Sequence, residues 1–163
     1  MTIGALLSDS IVGDTGASGL AAILNAVSAP GRQLVFTPRG RGREREIEKL
    51  RSPLALALRE HAIGRVHMRL ATVEGWPLAR GWLWTFELSR ASLAICANRM
   101  SGLWSYEQGD SFENICVAEG DRAFLATVSH EREATVWWSP QRRHQACVSC
   151  PSLLSVLRPR RGL

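Results

Sequence analysis

The sequence predicts an α+β fold, an antiparallel β-meander of about five or six strands packed against one or two N-terminal helices. Three observations point there. Residues 65–138 alternate apolar and polar side chains, Gly-containing turns separate the alternating runs, and all six tryptophans fall inside this stretch. Side chains on a strand alternate faces, so a half-buried strand is apolar at every second position. Short strands joined by tight turns must be antiparallel, because a parallel crossover takes about a dozen residues.

From the N-terminus, residues 1–29 are rich in Gly, Ala and Ser, and Leu20 to Val27 forms a short helix that Pro30-Gly31 breaks. Leu34-Val35-Phe36-Thr37 is a brief apolar run, and Pro38 to Arg43 reads as a linker. Glu44, Glu46 and Glu48 open a further helix with acids near its positive end. Pro53 kinks that helix or starts another with Ser52 as its cap. Leu50, Leu54, Leu58 and Ile63 lie along one face, and Gly64 ends the helix. Trp82, Trp84 and Phe86 share one strand face too apolar to leave in water. The leucine stripe is therefore expected to cover it.

Within the body, Val66, Met68 and Leu70 alternate with Arg65, His67 and Arg69, and Trp82 to Leu88 supplies the paired strand. Glu74-Gly75, Arg80-Gly81, Gly109-Asp110 and Glu119-Gly120-Asp121 read as turns. In Ser89–Arg99, alternation of Leu93, Ile95 and Ala97 favours a strand, while Ala91, Ala94, Ile95 and Asn98 also fit one helical turn. Phe112–Val117 and Arg122–Ser129 form a hairpin about Gly120, and Ala134–Trp138 adds a strand that Ser139-Pro140 stops. Residues 1–138 are read as one domain with its β-rich body at 65–138. Residues 139–163 are read as a basic, partly mobile tail.

Composition sets further bounds. No apolar run is long enough to span a bilayer. Met1-Thr2-Ile3-Gly4 lacks a basic leader and Asp9 follows soon after, so a cytoplasmic protein with reduced thiols is expected. Of the twenty basic residues nineteen are Arg. Residues 65–138 carry seven basic and nine acidic side chains, whereas residues 139–163 carry five arginines and no acid. The basicity thus flanks the aromatic body.

Gly13, Gly16 and Gly19 have a GxxGxxG spacing ahead of the first helix. This resembles the phosphate-binding turn of extended short-chain dehydrogenases, which implies a nucleotide-dependent oxidoreductase. The sequence departs from that family at Ser8-Asp9-Ser10, poor material for a buried parallel strand, and after Leu34–Thr37, where Arg39 stands in place of an acid. No Lys follows Gly19, which excludes a P-loop. His144-x2-Cys147-x2-Cys150 has the spacing of half a zinc site, to be completed by Cys96, Cys116 or His130. Asp110, Ser111 and His130 are placed so that a hydrolytic Ser–His–Asp group is conceivable. No complete catalytic motif or cofactor fingerprint emerges, and no cofactor is expected.

The reading these observations favour is a small soluble non-enzymatic binding module, of a regulatory, adaptor or immunity type, with a protein partner. Aromatics and arginines are enriched at interface hot spots. Trp76, Trp104 and Trp137, which do not all fit one core face, and Arg39, Arg41, Arg43, Arg142 and Arg143 are the candidate binding residues. The alternatives are nucleic-acid binding through the flanking arginines and an enzyme at His130 or at Gly13–Gly19.

Overall fold

The computed structural model describes residues 6–38, 52–104 and 112–160. Eight strands form one sheet: β1 Leu7–Ile11, β2 Gln33–Pro38, β3 Ala62–Thr72, β4 Pro77–Glu87, β5 Phe112–Glu119, β6 Arg122–Val128, β7 Glu133–Trp138 and β8 Leu157–Pro159. Five helices accompany them: α1 Gly16–Val27, α2 Pro53–Leu58, α3 Arg90–Arg99, α4 Pro140–Ser149 and α5 Leu153–Val156. The strand order is β3-β4-β2-β5-β6-β7-β1-β8, antiparallel at every neighbour. A short parallel bridge, Ala71 and Thr72 against Arg122 and Ala123, also joins β3 to β6 and closes five strands into a ring.

That closure gives the sheet two cores. On the helical side, Leu34, Phe36, Trp84, Phe86, Ile115, Val117 and Leu125 pack with Leu20, Ile23, Leu54, Leu58 and Leu153. Inside the curl, Val35, Leu70, Leu83, Cys116, Ala123 and Trp137 make a second, smaller cluster. Central strands are covered on both faces, so Leu34–Phe36 and Leu83–Phe86 are buried without a break. Phe36, Phe86 and Phe112 form an aromatic trio with centroids 4.6–5.9 Å apart.

The antiparallel α+β architecture, the hairpins at β3–β4 and β5–β6 and the Ser52 cap of α2 agree with the sequence. Leu54 and Leu58 of α2 belong to the same buried cluster as Trp84 and Phe86. Several details differ. The stripe does not continue to Ile63: α2 ends at Leu58, a 3-10 turn follows, and the strand begins at Ala62. Ser89–Arg99 is helix rather than strand, because Ser89 and Ser92 close a reciprocal capping box and Leu93 and Cys96 face inward. Arg80-Gly81 is not a turn but lies within β4, where Gly81 at φ +136° takes a conformation that side chains rarely allow. The strands number eight because β1, β2 and β8, outside residues 65–138, pair into the same sheet.

The expected boundary at residue 138 meets a continuous core. Ser139 caps α4 with Pro140 in its first turn, and Ala146, Cys147, Cys150, Leu153 and Leu157 join the helical-side cluster. Asp9 fastens this segment to β1. Its carboxylate is 1% exposed and accepts from Arg143 Nε at 2.8 Å and Nη2 at 3.1 Å, and from Trp138 Nε1 at 2.8 Å. This bidentate pair raises the Arg143 pKa, through the Asp9 hydrogen bond above all. No described helix is long and apolar enough to cross a membrane.

Candidate binding face

The residues singled out in the sequence do not converge on one place. Arg39, Arg41 and Arg43 lie outside the described residues, as do Asp110 and Ser111 of the conceivable hydrolytic group. Arg142 is exposed, but Arg143 is committed to Asp9. Trp104 packs against the helical-side core and donates Nε1 to Gly13 O at 3.3 Å. Trp137 is 2% exposed, inside the curl. Trp76 is 56% exposed, at the β3–β4 turn.

Gly13 to Gly19 do join a strand to a helix, yet β1 is flanked by antiparallel β7 and β8 rather than set in a βαβ unit. A Cβ on Gly13 would stand 2.9 Å from Val156 Cγ1, and one on Gly19 3.0 Å from Leu153 Cδ2. These two glycines let α5 approach closely. Trp104 also binds this turn, through Gly13 O.

His144 is exposed on α4 while Cys147 and Cys150 are buried. No group of three or more potential metal ligands gathers among the described residues. Burial raises the Cys147 pKa, which opposes the thiolate a metal requires. Burial also pushes the Cys96 thiol up to about 12 and that of Cys116 to about 11. The folded chain therefore keeps both protons where the unfolded chain releases them, above about pH 8.5. The stability this contributes is complete below that pH and is lost as pH rises towards 11 and 12. Native protein is expected to resist iodoacetamide at Cys96 and Cys116 at about pH 8. Its urea midpoint is expected to fall above about pH 9 more steeply than that of a Cys96→Ala, Cys116→Ala variant, at up to about 1.4 kcal/mol per pH unit per thiol. Equal slopes would refute the thiol account.

A cleft of about 190 Å³ opens at the curl, lined by Thr72, Trp76, Leu78, Val128, Thr135 and Trp137. The buried Trp137 Nε1 has no acceptor there among the described residues. Arg160, paired with Glu74 at 3.4 Å, also lines it. Glu133 adds a carboxylate to the same lining.

The more distinctive surface is one the sequence analysis did not single out. Cross-strand partners in an antiparallel pair share a face. The register pairs Arg65 with Trp84, His67 with Trp82 and Arg69 with Arg80, on the helical side of β3–β4. Trp84 is buried in the helical-side cluster, whereas Trp82 is 52% exposed. The hairpin therefore runs out from under the helices. Beyond them it presents Trp82, His67, Arg69 and Arg80, with Arg65 half-buried beside them. The Arg65 guanidinium carbon lies 5.4 Å from the Trp82 ring centroid, and the His67 ring sits edge-on to the indole at 5.4 Å. Among the described residues no carboxylate pairs with Arg69 or Arg80. Like charges directly opposite one another destabilise a ladder, so this pair is unfavourable in the free chain.

His130, at the β6–β7 turn, is exposed between Glu113 at 3.4 Å and Glu131 at 3.5 Å, a polar surface cluster. No family model, curated protein or solved structure matches the chain.

Proposed function

We propose that the chain is a non-enzymatic binding module that engages a macromolecular partner through the outer face of β3–β4. The observation that carries this reading is Trp82, a half-exposed indole beside a guanidinium pair with no counter-charge among the described residues. Tryptophan and arginine are among the residues most enriched at interface hot spots. Edge protection explains only part of the pattern. Charges on β3 and on the end of β4 that β2 does not pair would blunt those edges, but an exposed indole works against protection. The role is regulatory or adaptor-like, in a reducing compartment such as the cytoplasm, a placement supported by four unpaired, buried thiols.

The test is site-specific photocrosslinking in cells. Benzoylphenylalanine replacing Trp82 is expected to give discrete adducts that disappear when Arg80→Glu is added. The same group at Val148, 65% exposed on α4, is expected to give none of them. No adducts at position 82, or the same adducts at both positions, would refute the reading.

A further inference from the structure

We infer that the partner of the β3–β4 outer face is a single nucleic-acid strand, an inference that rests on the proposed function of that face. Single strands are held by cations that take the phosphates and by aromatic rings on which bases stack. Both are present, in adjacent rows of one face. Arg69 and Arg80 form one cross-strand row and His67 and Trp82 the next, with Arg65 leaning towards the indole. Two residues along a strand span about 7 Å, so phosphate and base sites lie within reach of the same nucleotide. No helical-side position of the hairpin between Arg65 and Trp84 is acidic.

Charge alone would suit a carboxylate-rich protein or a duplex. The indole decides between them. Its exposed ring surface can stack on an unpaired base, whereas a duplex hides its base faces and the carboxylates of an acidic peptide pair with the arginines rather than the ring. The inference also relocates the charge that does the binding. Of the described C-terminal arginines, Arg143 pairs with Asp9, Arg160 with Glu74 and Arg158 with the carbonyl of Leu157, while Arg142 is exposed. Arg69 and Arg80 have no such engagement among the described residues, and an arriving phosphate relieves their mutual repulsion.

The experiment is fluorescence anisotropy of the full chain with a labelled oligothymidylate of about 12 nucleotides. Two phosphate contacts, at Arg69 and Arg80, imply an affinity that falls roughly 7-fold between about 50 and 200 mM salt. Trp82→Ala is expected to weaken binding roughly ten-fold, with Trp82→Phe retaining most of it. Arg80→Glu is expected to weaken binding at least as much and to flatten the salt dependence. Because Arg80→Glu places opposite charges across the ladder, the free protein should not be less stable, so lost binding cannot be ascribed to misfolding. Absence of binding at about 50 mM salt, or binding that Trp82→Ala and Arg80→Glu leave unchanged, would overturn the inference. So would equal or tighter binding of a duplex or of polyglutamate. If the strand does not bind while position 82 still crosslinks a protein, the face is an interface for protein. If neither occurs, the proposed function fails as well.

Discussion

Asp9→Ala is expected to destabilise the fold by about 3 kcal/mol, because it strands a guanidinium and an indole N–H around a vacated carboxylate. The carboxylate is almost wholly buried and accepts three hydrogen bonds, two from Arg143 and one from Trp138. It joins three elements distant in sequence: β1, the end of β7, and α4. Arg143 is 26% exposed, so part of its charge recovers water when its partner goes, which holds the loss to the lower end for a broken buried pair. Asp9→Asn keeps an acceptor for Trp138 and should cost about half as much. In the double-mutant cycle with Arg143→Ala, the two losses should fall short of adding by at least about 1 kcal/mol. Urea unfolding of the four proteins measures this. Additive losses would mean that the pair is not coupled and that α4 is attached by apolar packing alone.

Phe36→Ala should cost more, about 4 kcal/mol, through the cavity it leaves in the aromatic trio. Phe36 has no exposure, stacks on Phe112 at 4.6 Å and meets Phe86 edge-on at 5.6 Å. It also lies on β2, between β4 and β5, so neighbours on both sides lose contacts. Trp82→Ala, which removes a larger side chain, should cost only about 1–2 kcal/mol, since the indole is half in water and its contacts are with Arg65 and His67. The contrast separates core from interface in a way that residue type cannot. Comparable losses at the two positions would show that Trp82 is part of the core.

How much of this was legible beforehand depends on the range of the interactions. The β3–β4 and β5–β6 hairpins are local, and their alternation and turn residues announce them. Strands β1, β2 and β8 find partners far away in sequence, and nothing in Ser8-Asp9-Ser10 marks a strand whose buried acid awaits Arg143. Helix α3 was open to reading through Ser89 and Ser92, but the capping signal competes with the alternation of Leu93, Ile95 and Ala97. In the same way, Ser139-Pro140 both stops β7 and starts α4, and the sequence reading took only the first meaning. The binding face was hidden by register. With a turn assigned at Arg80-Gly81, Arg80 cannot stand opposite Arg69; with the turn at Glu74-Gly75 it must. Nor could the pattern show that Trp84 and Phe86 are buried while Trp82, on the same face, is half-exposed.

The division of the tryptophans between inside and outside is the most direct point to measure. Acrylamide quenching of the free protein should reveal an accessible fraction of emission that is largely lost in a Trp76→Phe, Trp82→Phe variant. The emission of Trp84, Trp137 and Trp138, each no more than 3% exposed, should stay protected. An accessible fraction unchanged by that double substitution would mean that other indoles face water and that β3–β4 does not present Trp82 to a partner.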